Sequence, residues 1–582
     1  MLSILALSVA LSADFHLPPN LPWNGKSAHL IQPSHPLVTE FELSEGQSSP
    51  DYSTTMAYLN KLATEHPDIF SIETIGTSDQ NRDILMLRAA ENPSVNKPTL
   101  LIQAGIHSGE IDGKDAGFML LRDIATSSKR ALLKKVNLLF IPILNVDGHE
   151  RSSAYNRINQ RGPAIMGFRS NSKNLNLNRD YTKLETPEVA ALVKVVNHYK
   201  PDLYIDVHVT DGADYQYDVT YGYMPSFASD SPKISQVLDD YLKPEIDTAL
   251  EEMGHIPGPL VFVMNKQNIK EGLAGWVATP RFSNGWGDLR NLPTILVENH
   301  SLKPYKQRVL GTYVFLEATI NALAKHKKNL KTAVLTEQNQ LPRQLVGRRT
   351  YSKNPDYLDF KGISFSQFDS SLTGQKEVKY TGKAETFKQL PIFWQKEPAV
   401  VLDVPRRFYI PSHYQDIVAK LTLQGVKVSQ VSKPSTLSLT QFVISDYQFD
   451  PLPFEGRMRV SADFNQTSMT TEIDTSWFVV DADQALGKLA THLLHPSAVD
   501  SFFQWGFFNT VFQRTEYVEN YALIPYATQM LADNPALNQE FKNKLANDAK
   551  FAASAKERAA WLYQQTPYYD QGYLKYPILF EY

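Results

Sequence analysis

Apolar runs and helical stripes alternate through the first 325 residues of the chain. Residues 51–66 put Met56, Leu59 and Leu62 on one helical face, with Asp51 or Ser53 as the cap and Pro67 just beyond. KPTLLIQAG predicts a buried strand over Thr99–Ala104. A helix is predicted from Lys114, with Leu120, Leu121 and Ile124 inward, and VNLLFIPIL predicts a second buried strand over Val136–Leu144. Thr186, Pro187 and Glu188 open another helix: Thr suits the cap, Pro the first turn, and Glu the positive end of the dipole. Val189, Leu192, Val193 and Val196 give that helix its core stripe. PDLYIDVHV predicts a strand ending at His208, Ile234–Leu250 a helical stretch, and PTILVEN a further strand. Val309, Tyr313, Leu316, Ile320 and Leu323 mark a closing helix. This alternation implies an α/β fold, a mostly parallel mixed sheet with helices on both faces.

From about Lys325 the texture changes, and a polar exit segment is expected there. Residues 350–400 are polar, rich in Tyr and Phe, and predict short strands. RRFYIPSHYQDIVAKLTLQGVKVSQV predicts strand, helix, strand, with Gly425 stopping the helix. Residues 484–495 and much of 530–565 look helical. At 582 residues the chain exceeds what one core usually serves. The expected division is an N-terminal extension over 14–50, a first domain over 51–325, and an α+β accessory region over 326–582. Trp505, Phe507 and Phe508 in SFFQWGFFN are expected to pack as core rather than to bind a partner.

Charge and composition narrow the partners. A formal net charge of −4 argues against nucleic acid, and the absence of cysteine removes disulfides, thiolate metal sites and cysteine nucleophiles together. Leu2–Ser12 is an apolar stretch of small and aliphatic residues, too short for a membrane span. It predicts a signal peptide over residues 1–13 and an exported, periplasmic or secreted protein, although no Lys or Arg precedes it.

The candidate chemistry lies at the carboxyl ends of the predicted strands, where open α/β sheets place their sites. His107 and Glu110 sit in a Gly-rich turn after the first buried strand, His208 ends another, and Glu298 ends a third. Two imidazoles and a carboxylate are the usual protein ligands of a catalytic zinc. His149, in the NVDGHER turn, and His300, two past Glu298, are expected to be structural or pocket side chains.

Several blocks, in order, resemble the zinc carboxypeptidase family (the carboxypeptidase A-like fold) over residues 51–325: HSGE, NVDG, RINQRG, NLNLNRDY, DVH and ILVEN. The C-terminal blocks, LLHPSAVDSFFQWGFFN among them, resemble the extra domain of one bacterial branch. The resemblance implies one zinc ion held by His107, Glu110 and His208, with Glu298 as general base. It implies Arg157 near the scissile carbonyl, with Arg161 as the fallback, and Asn178 and Arg179 on the terminal carboxylate of a peptide substrate. The implied activity is that of a metallocarboxypeptidase. The alternatives are a zinc amidohydrolase acting on N-acyl amino acids or cell-wall peptides, and a catalytically inactive peptide-binding module.

Two departures bear on the site. Where the family commonly has an Asp that orients the first zinc histidine, this chain has Asn176, and Asp206 is a candidate substitute. Where the family usually has a mobile Tyr over the substrate, PRFSNGWGDLRN offers Phe282 and Trp286 and no Tyr.

Overall fold

The computed structural model describes residues 16–92 and 96–582, so the apolar run Leu2–Ser12 and the expected signal peptide lie outside the described residues. In chain order the first strands are β1 (Phe70–Thr77), β2 (Asp83–Ala89), β3 (Thr99–Ala104), β4 (Asn137–Ile141), β5 (Leu203–Thr210), β6 (Val219–Gly222), β7 (Pro257–Pro259), β8 (Val261–Val263), β9 (Leu273–Gly275) and β10 (Thr294–His300). Eight of them form one sheet in the order β1-β2-β4-β3-β5-β10-β6-β7. Its centre, β4-β3-β5-β10, is parallel, while β1, β2 and β6 pair antiparallel. The expected α/β class, with a mostly parallel mixed sheet, is the fold observed.

Alternate residues of the central strands feed two different cores, which is why those strands read as unbroken apolar runs. Leu100, Ile102, Leu203, Ile205 and Val207 face a core closed by the helices Asp112–Thr126 and Tyr305–Gln338. Leu101, Leu139 and Tyr204 face the other way, toward the helix Pro187–Tyr199. The helix Tyr52–Glu65 starts at Asp51, whose side chain accepts from Thr54 N.

The second core is shared with the C-terminal region. Phe408, Ile410, Ile417, Leu421, Phe442 and Phe580 belong to the same cluster as Leu101 and Tyr204. Polar anchors cross the junction as well. Trp286 Nε1 donates to Gln424 Oε1 at 2.8 Å, Gln424 Nε2 donates to Tyr181 O at 2.6 Å, and Trp505 Nε1 donates to Thr182 Oγ1 at 2.9 Å. Trp505 and Phe508 are buried, as expected for core aromatics.

Beyond residue 325 two expectations change. The expected exit segment is the second half of the helix Tyr305–Gln338. Leu330 and Ala333 keep one face of that half buried, and Glu337 pairs with Lys488 Nζ at 3.1 Å. The strands of residues 350–400 are long rather than short. After β11 (Gln344–Thr350) come β12 (Asp356–Asp369), β13 (Lys376–Trp394) and β14 (Glu397–Asp403). The outer half of the β12–β13 hairpin is solvated on both faces, so its sequence carries no apolar period. The hairpin docks through Ile392, which pairs with Leu273 of β9, and through Gln216 N, which donates to Lys361 O at 2.8 Å.

A six-stranded sheet completes the region, built from β15 (Arg407–Ile410), β16 (Ser429–Gln430), β17 (Ser435–Phe449), β18 (Val460–Ile473), β19 (Phe478–Asp481) and β20 (Leu579–Glu581). The β15–helix–β16 reading holds, with the helix at Gln415–Leu423 and Gly425 at φ +87° behind it. No helix among the described residues is long and apolar enough to cross a membrane.

The shared core makes the two halves one stability unit. Trp505→Ala is expected to cost about 3–5 kcal/mol. Chemical unfolding followed by circular dichroism, with protease resistance of residues 51–325 as a second probe, should show both halves lost in one transition.

Candidate metal centre and substrate cavity

The turn after β3 is shaped by its small residues. Gly105 adopts φ +66°, and a side chain there would meet Ile143 Cα at 3.2 Å. Ser108 Oγ donates to Asn145 O at 2.5 Å, and Asn145 N donates to Gly105 O at 3.0 Å. Asn145 also caps the short helix Val146–Glu150 by accepting from Gly148 N at 2.9 Å. The NVDG block therefore braces the HSGE turn. At Gly109 a Cβ would lie 2.2 Å from Arg157 Cδ, so glycine lets that arginine lie against the turn.

His208 comes from β5, two residues before the strand ends. Its register partner on β10 is Glu298. Parallel partners point to one face from strands about 4.8 Å apart. Sheet geometry alone thus sets the carboxylate beside the imidazole.

His107, Glu110 and His208 are buried, and their ligand-type atoms all lie within 4.8 Å of one another. Glu110 Oε2 is 3.1 Å from His107 Nδ1, 3.0 Å from His208 Nδ1, and accepts from Val209 N at 3.1 Å. One outer ring nitrogen is hydrogen-bonded, and the other faces a carboxylate at ion-pair distance without hydrogen-bond geometry. His107 Nε2 donates to Asn176 Oδ1 at 2.8 Å, and His208 Nε2 lies 3.0 Å from Asp206 Oδ2. Asn178 N donates to the same Asn176 oxygen at 3.0 Å, which fixes the amide's orientation.

This arrangement tests for a cation. Burial pushes the His107 imidazole down to about 4, so it is neutral at pH 7 and carries its single proton on Nε2. Its Nδ1 lone pair then faces the lone pairs of Glu110 Oε2, a repulsive contact unless a positive charge stands between them. Burial also disfavours charge on His208, but Asp206 beside it holds its pKa well above the usual imidazole value. His208 can therefore share a proton with Glu110, and His107 cannot. Two inward Nδ1 atoms and a carboxylate form the donor set of a zinc site.

A cavity of about 230 Å³ opens on this cluster. His107, Glu110, Arg157, Asn178, Arg179 and Glu298 all line it. Burial pushes the Glu298 carboxyl up to about 8, and a divalent cation beside it would act in the opposite sense. Arg157 Nη2 and Arg169 Nη1 reach Glu110 Oε1 at 2.9 and 3.2 Å. Arg179 stacks over Phe282 at 4.4 Å, and no carboxylate among the described residues lies within ion-pair distance of it. Asp180 is taken by Lys183 and Thr186 instead, and Glu185 by Arg457. Asn178 Oδ1 is buried without a hydrogen-bond partner.

Other candidates fall elsewhere. Arg161 does not line the cavity; it donates to Leu302 O at 3.0 Å and Pro18 O at 2.6 Å. His149 bonds Lys114 Nζ at 3.0 Å, and His300 stacks on Tyr215 at 4.0 Å, so neither joins the cluster. Trp286 is buried under Gln424, whereas Phe282 lines the cavity. Asp206 serves His208, leaving Asn176 as the partner of His107.

Seven lining residues have no counterpart among the sequence candidates, Arg169, Trp276 and Phe262 among them. Arg169 is delivered by a loop laid along the HSGE turn, where Ser108 N donates to Phe168 O at 3.3 Å. Nothing in MGFR alone marks that placement. The C-terminal region contributes as well: Glu455 Oε2 accepts at 2.7 Å from the backbone N of Asn176, the residue whose side chain orients His107.

Residues 55–256 match the family model for zinc carboxypeptidase. Carboxypeptidase 2 of Trichophyton rubrum is 22% identical over 500 residues, covering 82% of this chain and 88% of that protein. Carboxypeptidase D of Mus musculus is 25% identical over 205 residues, covering 33% of this chain and 14% of that protein. Among solved structures, a metallo-carboxypeptidase from Burkholderia cenocepacia aligns at 15% identity with a TM-score of 0.36, covering 47% of this chain and 69% of that chain. The ligand-type cluster of His107, Glu110 and His208 lies inside the segment, residues 55–256, that is similar to the zinc carboxypeptidase family.

Proposed function

We propose that the protein is a zinc metallocarboxypeptidase that releases residues from the C-terminus of peptides. The observation that carries this reading is one cavity, opening on the His–Glu–His cluster, that His107, Glu110, Glu298 and an Arg179 outside ion-pair distance of any described carboxylate line together. His107, Glu110 and His208 would hold a single zinc ion, which when bound supplies Lewis-acid polarisation of the scissile carbonyl and a lowered pKa for water.

The chain's own groups do the rest. Arg179 and Asn178 hold the terminal carboxylate, a pairing that suits the planar guanidinium fork. Glu298 takes a proton from the attacking water and returns it to the leaving amine. Arg157 and Arg169 set positive charge where the carbonyl oxygen becomes negative. Asn176 fixes the tautomer of the His107 imidazole, and Asp206 sets a negative charge beside His208. Phe282 and Trp276 cover the substrate with aromatic faces in place of a phenolic hydroxyl. The run Leu2–Ser12 supports export, with residues 1–13 as the signal.

Mass spectrometry of a peptide mixture treated with the zinc-loaded protein tests the reading: residues should leave one by one from the carboxyl end. Release of acyl groups from N-acyl amino acids with peptides left intact would favour the amidohydrolase instead. Glu298→Gln should keep bound zinc and lose about 10²–10⁴ in turnover. Arg157→Ala and Arg169→Ala should each cost about 10²–10³ in kcat; an unchanged kcat in either variant removes that arginine from the reaction. Asn176→Ala should weaken zinc binding by about 10–100-fold, read by competition with a chelator.

A further inference from the structure

A second cavity, of about 750 Å³, lies beside the first and exceeds it in volume. Leu17, Val261, Val263, Leu273, Phe360 and Tyr380 line it. Among its charged liners, Asp211 and Lys266 are exposed to solvent. All six of those apolar liners lie outside residues 55–256, and two of them, Phe360 and Tyr380, come from the β12–β13 hairpin.

The two cavities share Phe262 and Asp211. A row of aromatic rings leads from one to the other. Arg179 stacks on Phe282 at 4.4 Å, Phe282 meets Trp276 edge-on at 5.1 Å, and Trp276 meets Phe262 at 6.2 Å. Phe262 is 42% exposed, a large apolar side chain left uncovered at the divide. A peptide whose terminal carboxylate sits at Arg179 has one aromatic track to follow, and it ends in the second cavity.

We infer that the second cavity is a subsite for an apolar side chain of the peptide, that of the third residue from its C-terminus. The inference rests on the carboxypeptidase reading for the direction of the substrate. The C-terminal hairpin then sets sequence preference, and Phe262 is the sill over which the chain passes. Removing one apolar side chain from water into such a pocket changes specificity by about tenfold or more.

Two acetylated tetrapeptides, identical except for Leu or Gly at the third position from the end, test this. Wild-type kcat/KM should favour Leu about tenfold or more, and Val263→Asp should bring that ratio close to one. Tyr380→Ala, which leaves the hairpin pairing intact, serves the same purpose should Val263→Asp fail to fold, and should also reduce the ratio. The same peptides are titrated against zinc-loaded Glu298→Gln by calorimetry, which reads the preference without hydrolysis. Equal kcat/KM and equal affinity for the two peptides would overturn the subsite while leaving the carboxypeptidase reading standing. A Leu preference in binding with no hydrolysis by the wild type would uphold the subsite and overturn that reading.

Discussion

The hydrogen-bonded register of three adjacent parallel strands is the constraint on which the site depends. β3, β5 and β10 lie side by side, and residue-by-residue pairing sets His208 opposite Glu298. A slip of one residue on β10 would turn Glu298 to the far face and bring Val297 or Asn299 opposite the imidazole. That register is held by burial on both faces. Each side of the sheet has its own core, so no strand can move without exposing apolar surface on one side or the other. Ligand geometry is in this sense a by-product of core packing.

Around that frame the loops are tied down by side chains with no catalytic part. Arg308 is fully buried and holds Asp112 at 2.9 Å, together with the carbonyl oxygens of Arg161, Gly162 and Lys303. It thereby joins the helix that follows the HSGE turn, the RINQRG loop and the segment after β10. Asn145 does similar work on the other side of the turn. Such groups belong to rigid support, which catalytic constellations need if they are to hold their geometry.

The central strands and the residues of the His107–Glu110–His208 grouping were legible in the sequence because their signals are local. A buried strand must be apolar throughout, and a His-x-x-Glu turn with glycines is compact. The cap at Asp51, the Thr186–Pro187–Glu188 opening and the stop at Gly425 are likewise written in a few neighbouring residues. What stayed hidden depends on distant partners. Arg169 and Trp276 reach the cavity only because loops fold back over the sheet. Arg161 sits in the same block as Arg157 but turns away to Pro18, a choice made by contacts far off in the chain. The length of the β12–β13 strands, and the β17–β18 hairpin altogether, escaped because much of their length is wet on both faces and has no buried side to impose a period.

The sharing of one core between the halves also orders events in time. β20 pairs with β15 on one side and touches β17 on the other, and Phe580 within it packs in the cluster that contains Leu101 and Tyr204. A ribosome delivers Leu579–Glu581 long after it has delivered Glu298. Until then the sheet that carries the candidate site has one face incompletely covered, and Asn176 lacks Glu455. That face of the sheet is therefore completed only after the accessory region has been synthesised.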